Sequence, residues 1–486
     1  VAASVKVSLR RIFVLAALVA ALGAYLWVYE VPQAEREANK EKLLAVDQDA
    51  ITGIALVYPD HEIELRKDDK GWRVVKPVDA PADDTVVKSL LATLAAAEVQ
   101  KTLDEMPTDL APFGLDKPTV TARLTLKDGA QPPAIAVGKN TAIGGKTYVR
   151  KGEEKKLYLT ASSVGYGLNK QVKDLRDKQI LAFKDDDVTR IDIHPEGEAA
   201  VALVRKDKDA WTVDPGDHPA DATEVRSYLA SLRSTRALDF PADAPTDLGP
   251  YGLTAPRLTV TVTTGKDNSA AATTLLIGGE KTEGSTKEIY VKRADQPPVY
   301  AVGEWSYRTL DKGGAQFRDK TVLGFDPARV GRVVLERKDG GGATLVRVEG
   351  GWRVEGAEGK KPKTSVIQAF LDDLRELRGS DIAAEPVKDL KPLGLDAPDL
   401  RLTLTDKDGQ PMGTIVATRH DGKYYAMRTG GETAFEVRDY MYTRLDKHDR
   451  DFAEEPGATT TMAPAPPPGA ADEEGDDVGD GADDPQ

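Results

Sequence analysis

The sequence predicts an α+β protein: three tandem modules, each a mixed or antiparallel sheet plus helices, following one N-terminal transmembrane helix. Three observations predict it. An uncharged apolar run opens the chain, a tryptophan-to-glycine pattern recurs three times at near-constant spacing, and strand-like alternation surrounds one amphipathic helix in each recurrence.

Lys6, Arg10 and Arg11 precede the uncharged run from Ile12 to Tyr29. A helix of that length rises about 27 Å, close to the ~30 Å of a hydrocarbon core, and satisfies its own backbone polar groups. Tyr25, Trp27 and Tyr29 cluster at the far end, where amphipathic rings prefer the interface. The basic flank places residues 1–11 in the cytoplasm, 12–31 across the inner (cytoplasmic) membrane, and 32–42 as a charged spacer outside it. The main body is then periplasmic or otherwise extracytoplasmic. Ala21-Leu22-Gly23 offers the alternative of a signal-peptide cleavage site. Against that, the apolar run continues to Tyr29 with no polar break, and either reading exports the same modules.

The repeat is legible by register. Trp72, Trp211 and Trp352 stand in Gly-Trp-Arg-Val, Ala-Trp-Thr-Val and Gly-Trp-Arg-Val, 139 and 141 residues apart. A Gly-Leu-x-x-Pro element follows each: Gly114 to Pro118, Gly252 to Pro256 and Gly394 to Pro398, with tryptophan-to-glycine offsets of 42, 41 and 42. Val86, Val225 and Val366 each lie 14 residues after their tryptophan, and Leu90, Leu229 and Phe370 each lie 18 after it. Arg176-Asp177-Lys178 recurs as Arg318-Asp319-Lys320; the third copy offers Arg450-Asp451-Phe452, three residues early. These elements assign 43–182, 183–324 and a shortened 325–452 to the modules, with similar strand starts at Val46, Val188 and Val330. Residues 453–486 form a Pro-, Ala- and Asp-rich tail expected to be disordered.

Within a module, Ile51–Val57 and Glu62–Arg66 alternate as half-buried strands do, and Trp72–Val75 starts a third. Residues 84–97 read as a helix with Val86, Val87, Leu90, Leu91 and Leu94 on one face, capped by Asp83 or Asp84. The second copy's helix opens on Asp221-x-x-Glu224 and the third's on Thr364 or Ser365. In the Gly-Leu-x-x-Pro turn, glycine permits positive φ, leucine plugs the core and proline leads into a strand. Val120–Leu126, Leu258–Val262 and Leu400–Leu404 supply that strand. Two more strands surround Tyr148 and Tyr158, and residues 162–177 read as helical up to the Arg-Asp-Lys element.

Charge and composition narrow the function. The net charge is −14, but ten acids and no base lie from Ala453 onward, which leaves −4 for the rest. So balanced a body has no broad positive field for nucleic acid. There is no cysteine, hence no disulfide, thiol nucleophile or Cys-ligated metal. The five histidines have no partner at metal-ligand spacing, and Asp185-Asp186-Asp187 lacks the glycine and distal glutamate of a calcium loop. Gly138-Lys139 and Gly278-Gly279 precede strands and do not form a phosphate loop. No catalytic residue, metal site or cofactor is expected. The recurrent tryptophans read as core, or alternatively as a ligand-binding platform. The Arg-Asp-Lys elements read as contacts between modules or with a partner.

The Gly-Trp-x-Val strands, the Tyr-Gly-Leu-x-x-Pro turn, the Tyr-Val hairpin and the Leu-Arg-Asp-Lys ends together resemble an uncharacterised bacterial family known as a domain of unknown function. The resemblance spans about residues 10–450. Members of that family are membrane-anchored repeat proteins, often encoded beside gliding-motility-type ABC transporters. The resemblance therefore implies an accessory or scaffold role toward ABC transporter subunits or other envelope proteins. It carries over no catalytic residue. The third copy departs from the pattern: Leu393 replaces the aromatic, and Val416-Ala417-Thr418 stands where Gly138 and Gly278 stand. Two other expectations are a module that binds glycan or a small ligand and an exported hydrolase with an unrecognised site.

Overall fold

The computed structural model describes residues 41–265 and 269–454. The expected span at 12–31, the cytoplasmic residues 1–11, nearly all of the spacer and the tail from 455 lie outside these. Among the described residues no helix is long and apolar enough to cross a membrane. The described residues fall into two compact units, one ending at Arg318 and one beginning at Asp319. The first holds two sheets and the second holds one.

The first module sets the pattern. Strands β1 (Ile51–Val57), β2 (Glu62–Asp68), β3 (Gly71–Lys76) and β4 (Ala80–Pro81) are followed by helix α1 (Asp84–Ala95). Then come β5 (Lys101–Leu103), β6 (Val120–Leu126), β7 (Ile135–Asn140), β8 (Lys146–Lys151) and β9 (Leu157–Ala161), and the short helices α2 (Ser162–Leu168) and α3 (Val172–Leu175). The sheet order is β4-β3-β2-β1-β6-β7-β8-β9-β5, and every pairing is antiparallel. The second module repeats this order over nine strands, and the third does so over eight, lacking a counterpart of β4. The sheets are thus antiparallel throughout. The helical stretch expected at 162–177 is two short helices broken at Asn169.

One face of each sheet is sealed by the amphipathic helix. In α1 the buried residues are Val87, Leu90, Leu91 and Leu94, the i, i+3, i+4, i+7 stripe of a core-facing helix. The equivalents are Val225, Tyr228, Leu229 and Leu232, then Ile367, Phe370, Leu371 and Leu374. Each such side chain contributes roughly 1.5–3 kcal/mol through burial, so this stripe anchors the layer. The stripe corrects the sequence register. Leu90 corresponds to Tyr228 and Phe370, not to Leu229, and Val87 to Val225 and Ile367. The second module is one residue shorter between its tryptophan and its helix, which explains the tryptophan-to-glycine offset of 41.

Caps differ among the copies. Asp83 accepts from Thr85 and Val86 N–H, and Asp221 from Thr223 and Glu224 N–H, quenching unpaired donors of the first turn. Asp84 instead accepts the Trp72 N–H at 2.9 Å and ties β3 to the helix. The third helix opens at Thr364, as expected, with Lys363 at the N-cap and no side-chain cap.

Strand starts also shift. Ile51, Val188 and Val330 pair with Leu126, Thr264 and Asp406, each just before a bulge. The counterpart of Val188 is therefore Ile51 and not Val46. The second core takes in Ile180 and Leu181 and the third takes in Val322 and Leu323, so each begins before the boundary read from sequence. Ala453, assigned by sequence to the tail, is buried in the third core.

Candidate functional site

The recurring residues were the candidates, and the structure places each of them. Trp72, Trp211 and Trp352 are 3 %, 6 % and 5 % exposed, packed in the main cores. Arg205 and Arg347 stack over Trp211 and Trp352 at 4.5 and 4.4 Å. Their guanidinium groups donate to main-chain carbonyls at the strand starts, Arg205 to Val188 and Asp185 and Arg347 to Val330 and Pro327. These tryptophans offer no exposed platform to a ligand.

The glycine turn occupies the other face of the sheet. Residues 111–113, 249–251 and 391–393 form a 3₁₀ turn that ends on Gly114, Gly252 or Gly394, at φ of 65°, 64° and 67°. That left-handed conformation suits glycine. Leu115, Leu253 and Leu395 are then buried, Leu115 and Leu395 in small apolar clusters, and Pro118, Pro256 and Pro398 lead to the next strand. The turn extends further upstream than sequence suggested. Asp109, Asp247 and Asp389 each accept the N–H two residues on, at 3.0, 2.8 and 3.0 Å, so the full unit reads Asp-Leu-x-Pro-x-Gly-Leu. Phe113 meets Tyr148, and Tyr251 meets Tyr290, edge to face at 4.9 and 5.1 Å.

The third module's departure has a steric cause. A Cβ at Gly138 or Gly278 would lie 2.2 or 2.3 Å from the Phe113 or Tyr251 carbonyl oxygen. At both places the strand pairing shifts register. The third module pairs the equivalent strands without a shift, and Thr418 fits there. Its hydroxyl donates to Asp399 at 3.1 Å, and the Arg419 N–H donates to the same carboxylate at 2.9 Å.

The Arg-Asp-Lys element forms the junction of modules one and two. Arg176 pairs with Ala82 across a bridge, and the Asp177 N–H donates to the Pro81 carbonyl. The Arg176 side chain, 6 % exposed, donates from Nη1 to Asp243 at 2.6 Å and lies 3.7 Å over the Phe240 ring. Asp177 accepts the Gln179 N–H, and the Lys178 carbonyl accepts the Ala237 N–H, already in module two. Arg176 thus couples the two modules, and Asp177 and Lys178 carry the chain across. A cleft of about 280 Å³ opens here, lined by Pro81, Arg176, Phe240, Asp243, Gln296 and Tyr300. Burial pushes the Tyr300 phenol above its ordinary pKa, and its hydroxyl donates to Gln296. Phe240 and Asp243 were missed from sequence. The available signal was an acid nine residues before each turn glycine: Glu105, Asp243 and Glu385.

In the second copy Arg318 bridges to Ala220 as Arg176 does to Ala82. Asp319 accepts from Thr321 and Arg378, and Lys320 Nζ donates to the Ser380 carbonyl. The third copy's bridge is Pro362 to Ala453. Ala453 therefore fills the arginine's place, and Arg450-Asp451 is not the displaced element. Among the described residues no group of three or more His, Asp or Glu could hold a metal ion. Asp185 of the triple-aspartate turn instead pairs with Arg233 at 3.0 Å.

A family model described as a domain of unknown function (DUF4340) matches residues 72–241, 211–398 and 363–456. The first two matches each start at a module's tryptophan and run on into the following module, and the third begins inside the last module. No curated protein and no solved structure matches the chain.

Proposed function

Given that the chain belongs to the DUF4340 family, whose description assigns no activity, we propose that it is a non-enzymatic, membrane-anchored envelope protein. Its three modules serve as a binding arm or scaffold for another component of the envelope. One observation carries this reading: the residues that recur in all three copies go into cores and turns, and the element shared by the first two goes to a module end, so the repeated unit is architectural. The apolar run from Ile12 to Tyr29, behind Lys6, Arg10 and Arg11, supports the anchor and the extracytoplasmic body. The resemblance described above points to ABC-type transport or a gliding-motility-like system as the partner.

Affinity purification of the full chain from detergent-solubilised membranes tests this. A transporter subunit or another envelope protein should co-purify above a mock control. Recovery of the chain alone, after in-membrane cross-linking as well, refutes the scaffold role.

A further inference from the structure

One exposed apolar patch on the first module differs in kind from its counterparts. Ile143, at the tip of the β7–β8 hairpin, is 90 % exposed, and Tyr166, on α2, is 67 % exposed. The two segments are joined: the Ser162 N–H donates to the Gly145 carbonyl at 2.9 Å, and Asn140 Nδ2 donates to the Tyr166 hydroxyl at 3.0 Å. The charges borne on them have one sign. From Lys139 to Lys146 there are two lysines and no acid, and from Ser162 to Lys173 there are again two lysines and no acid.

The other modules provide an internal comparison. The equivalent second hairpin carries Glu280 and Glu288 and has Gly284-Ser285 at its tip; the third shrinks to His420-Asp421-Gly422-Lys423. Their counterparts of α2 hold charges of both signs. Glu304 pairs with Arg308 at 2.9 Å beside the exposed Trp305, and Arg444 pairs with Asp373 at 3.0 Å beside the exposed Tyr440. Only the first module combines an apolar tip with a hairpin end and helix segment that themselves carry no acid, 139–146 and 162–173.

The first module is also the one that the chain reaches directly from the expected span. Lys101 pairs with Leu159, so residues 97–99 run on past Leu159 toward Ala161 and α2. The incoming chain lies beside them: the Val99 N–H donates to the Glu41 carbonyl, and the Leu43 N–H to the Ala97 carbonyl, both at 2.7 Å. Lys146 pairs with Ala161, which puts the loop end of the hairpin at that same end of the sheet. Between residue 31 and Glu41 the spacer reaches at most about 36 Å even when fully extended.

We infer that this end of the first module rests on the bilayer surface. Ile143 and Tyr166 enter the headgroup region, and Lys146 and Lys170 face anionic phosphates. The inference rests on the membrane-anchor reading. Apolar and aromatic tips with basic flanks are what an interface with anionic lipid takes up.

The chain has no cysteine, so single-cysteine labelling is unambiguous. Ile143→Cys and, as the control, Ser285→Cys are made in the full chain, reconstituted in nanodiscs of phosphatidylglycerol and phosphatidylcholine, and labelled with an environment-sensitive fluorophore. The label at 143 should be quenched at least about twofold more by lipid-borne nitroxide than the label at 285, and should be less open to aqueous iodide. Equal iodide access at the two positions overturns the inference. So does shielding at 143 in native membranes that is absent in nanodiscs, because a protein then covers the patch. Alkaline extraction reads the anchor separately. A chain retained by the membrane but with an aqueous label at 143 sinks only the surface contact, whereas a chain released by alkali sinks both.

Discussion

Replacing Arg176 with alanine should loosen the first module from the second. The guanidinium makes a 2.6 Å charge-assisted hydrogen bond to Asp243 and covers the Phe240 ring at 3.7 Å. The first kind of contact contributes roughly 1.5–3 kcal/mol and the second about 0.5–2 kcal/mol. Removing one partner of a fully buried pair costs about 3–5 kcal/mol. Here the Asp243 side chain is 47 % exposed, so the stranded carboxylate regains water and the loss is smaller. About 2–3 kcal/mol is expected for Arg176→Ala, which lowers the melting temperature of the two-module unit by roughly 4–12 °C. Because melting of a multi-module chain is not strictly two-state, the sharper assay is a double-mutant cycle with Asp243→Ala. Coupling of about 1–2 kcal/mol is expected, with new proteolytic cleavage between residues 177 and 183 in the single variant. A melting shift under about 1 °C with no coupling to Asp243 would refute the reading of Arg176 as the coupler.

Three further outcomes follow from geometry already described. Gly278→Ala places a methyl 2.3 Å from the Tyr251 carbonyl oxygen and should cost more than ~2 kcal/mol in denaturant unfolding, whereas Gly284→Ala, at φ 61° in open space, should cost about 1 kcal/mol; equal costs would contradict the close approach. Trp352→Ala should lose about 3–5 kcal/mol through cavity formation, and Trp305→Ala, at 77 % exposure, under about 0.5 kcal/mol, by chemical denaturation of each variant. The Tyr442 phenol is pushed up to about 12 mainly by burial, and that of Tyr158 to about 12 mainly by its hydrogen bond to Glu154, both from 10.0. The folded protein keeps these protons where the unfolded chain releases them, so their stabilisation is complete below pH 10 and is lost between pH 10 and about 12. Tyrosinate absorbance should complete its rise only with alkaline unfolding; full ionisation of a still-folded chain would contradict this.

Architecture was legible in the sequence because it rests on periodic, local signals. The alternation of Val120–Leu126 and the apolar stripe from Val87 to Leu94 each state their own geometry, and both took the form expected. Register was less legible. One deleted residue before the second helix moved Leu229 off the position of Leu90, which even spacing had hidden until burial separated the two faces. The third module's arginine place was invisible for a related reason: Ala453 has no chemistry to announce it, while the nearby Arg450-Asp451 does. The junction partners Phe240 and Asp243 sit on a short edge strand, Asp239–Ala242, and just beyond it, with too few residues for any pattern to show. The Ile143 tip carries meaning only beside its two counterparts, a comparison that needs the hairpins aligned in space.

The handover between modules has a mechanical consequence. Arg176 is bridged to Ala82 in the first sheet and Gln179 to Arg236 in the second, so only Asp177 and Lys178 lie between two anchored points. Such a connection holds no slack. Tension applied to the chain at Glu41 cannot be taken up by an uncoiling linker; it loads both sheets in series, and the first event under load is rupture of a sheet margin or of the junction itself. Between the first two modules, then, a pull passes from sheet to sheet with no linker to absorb it.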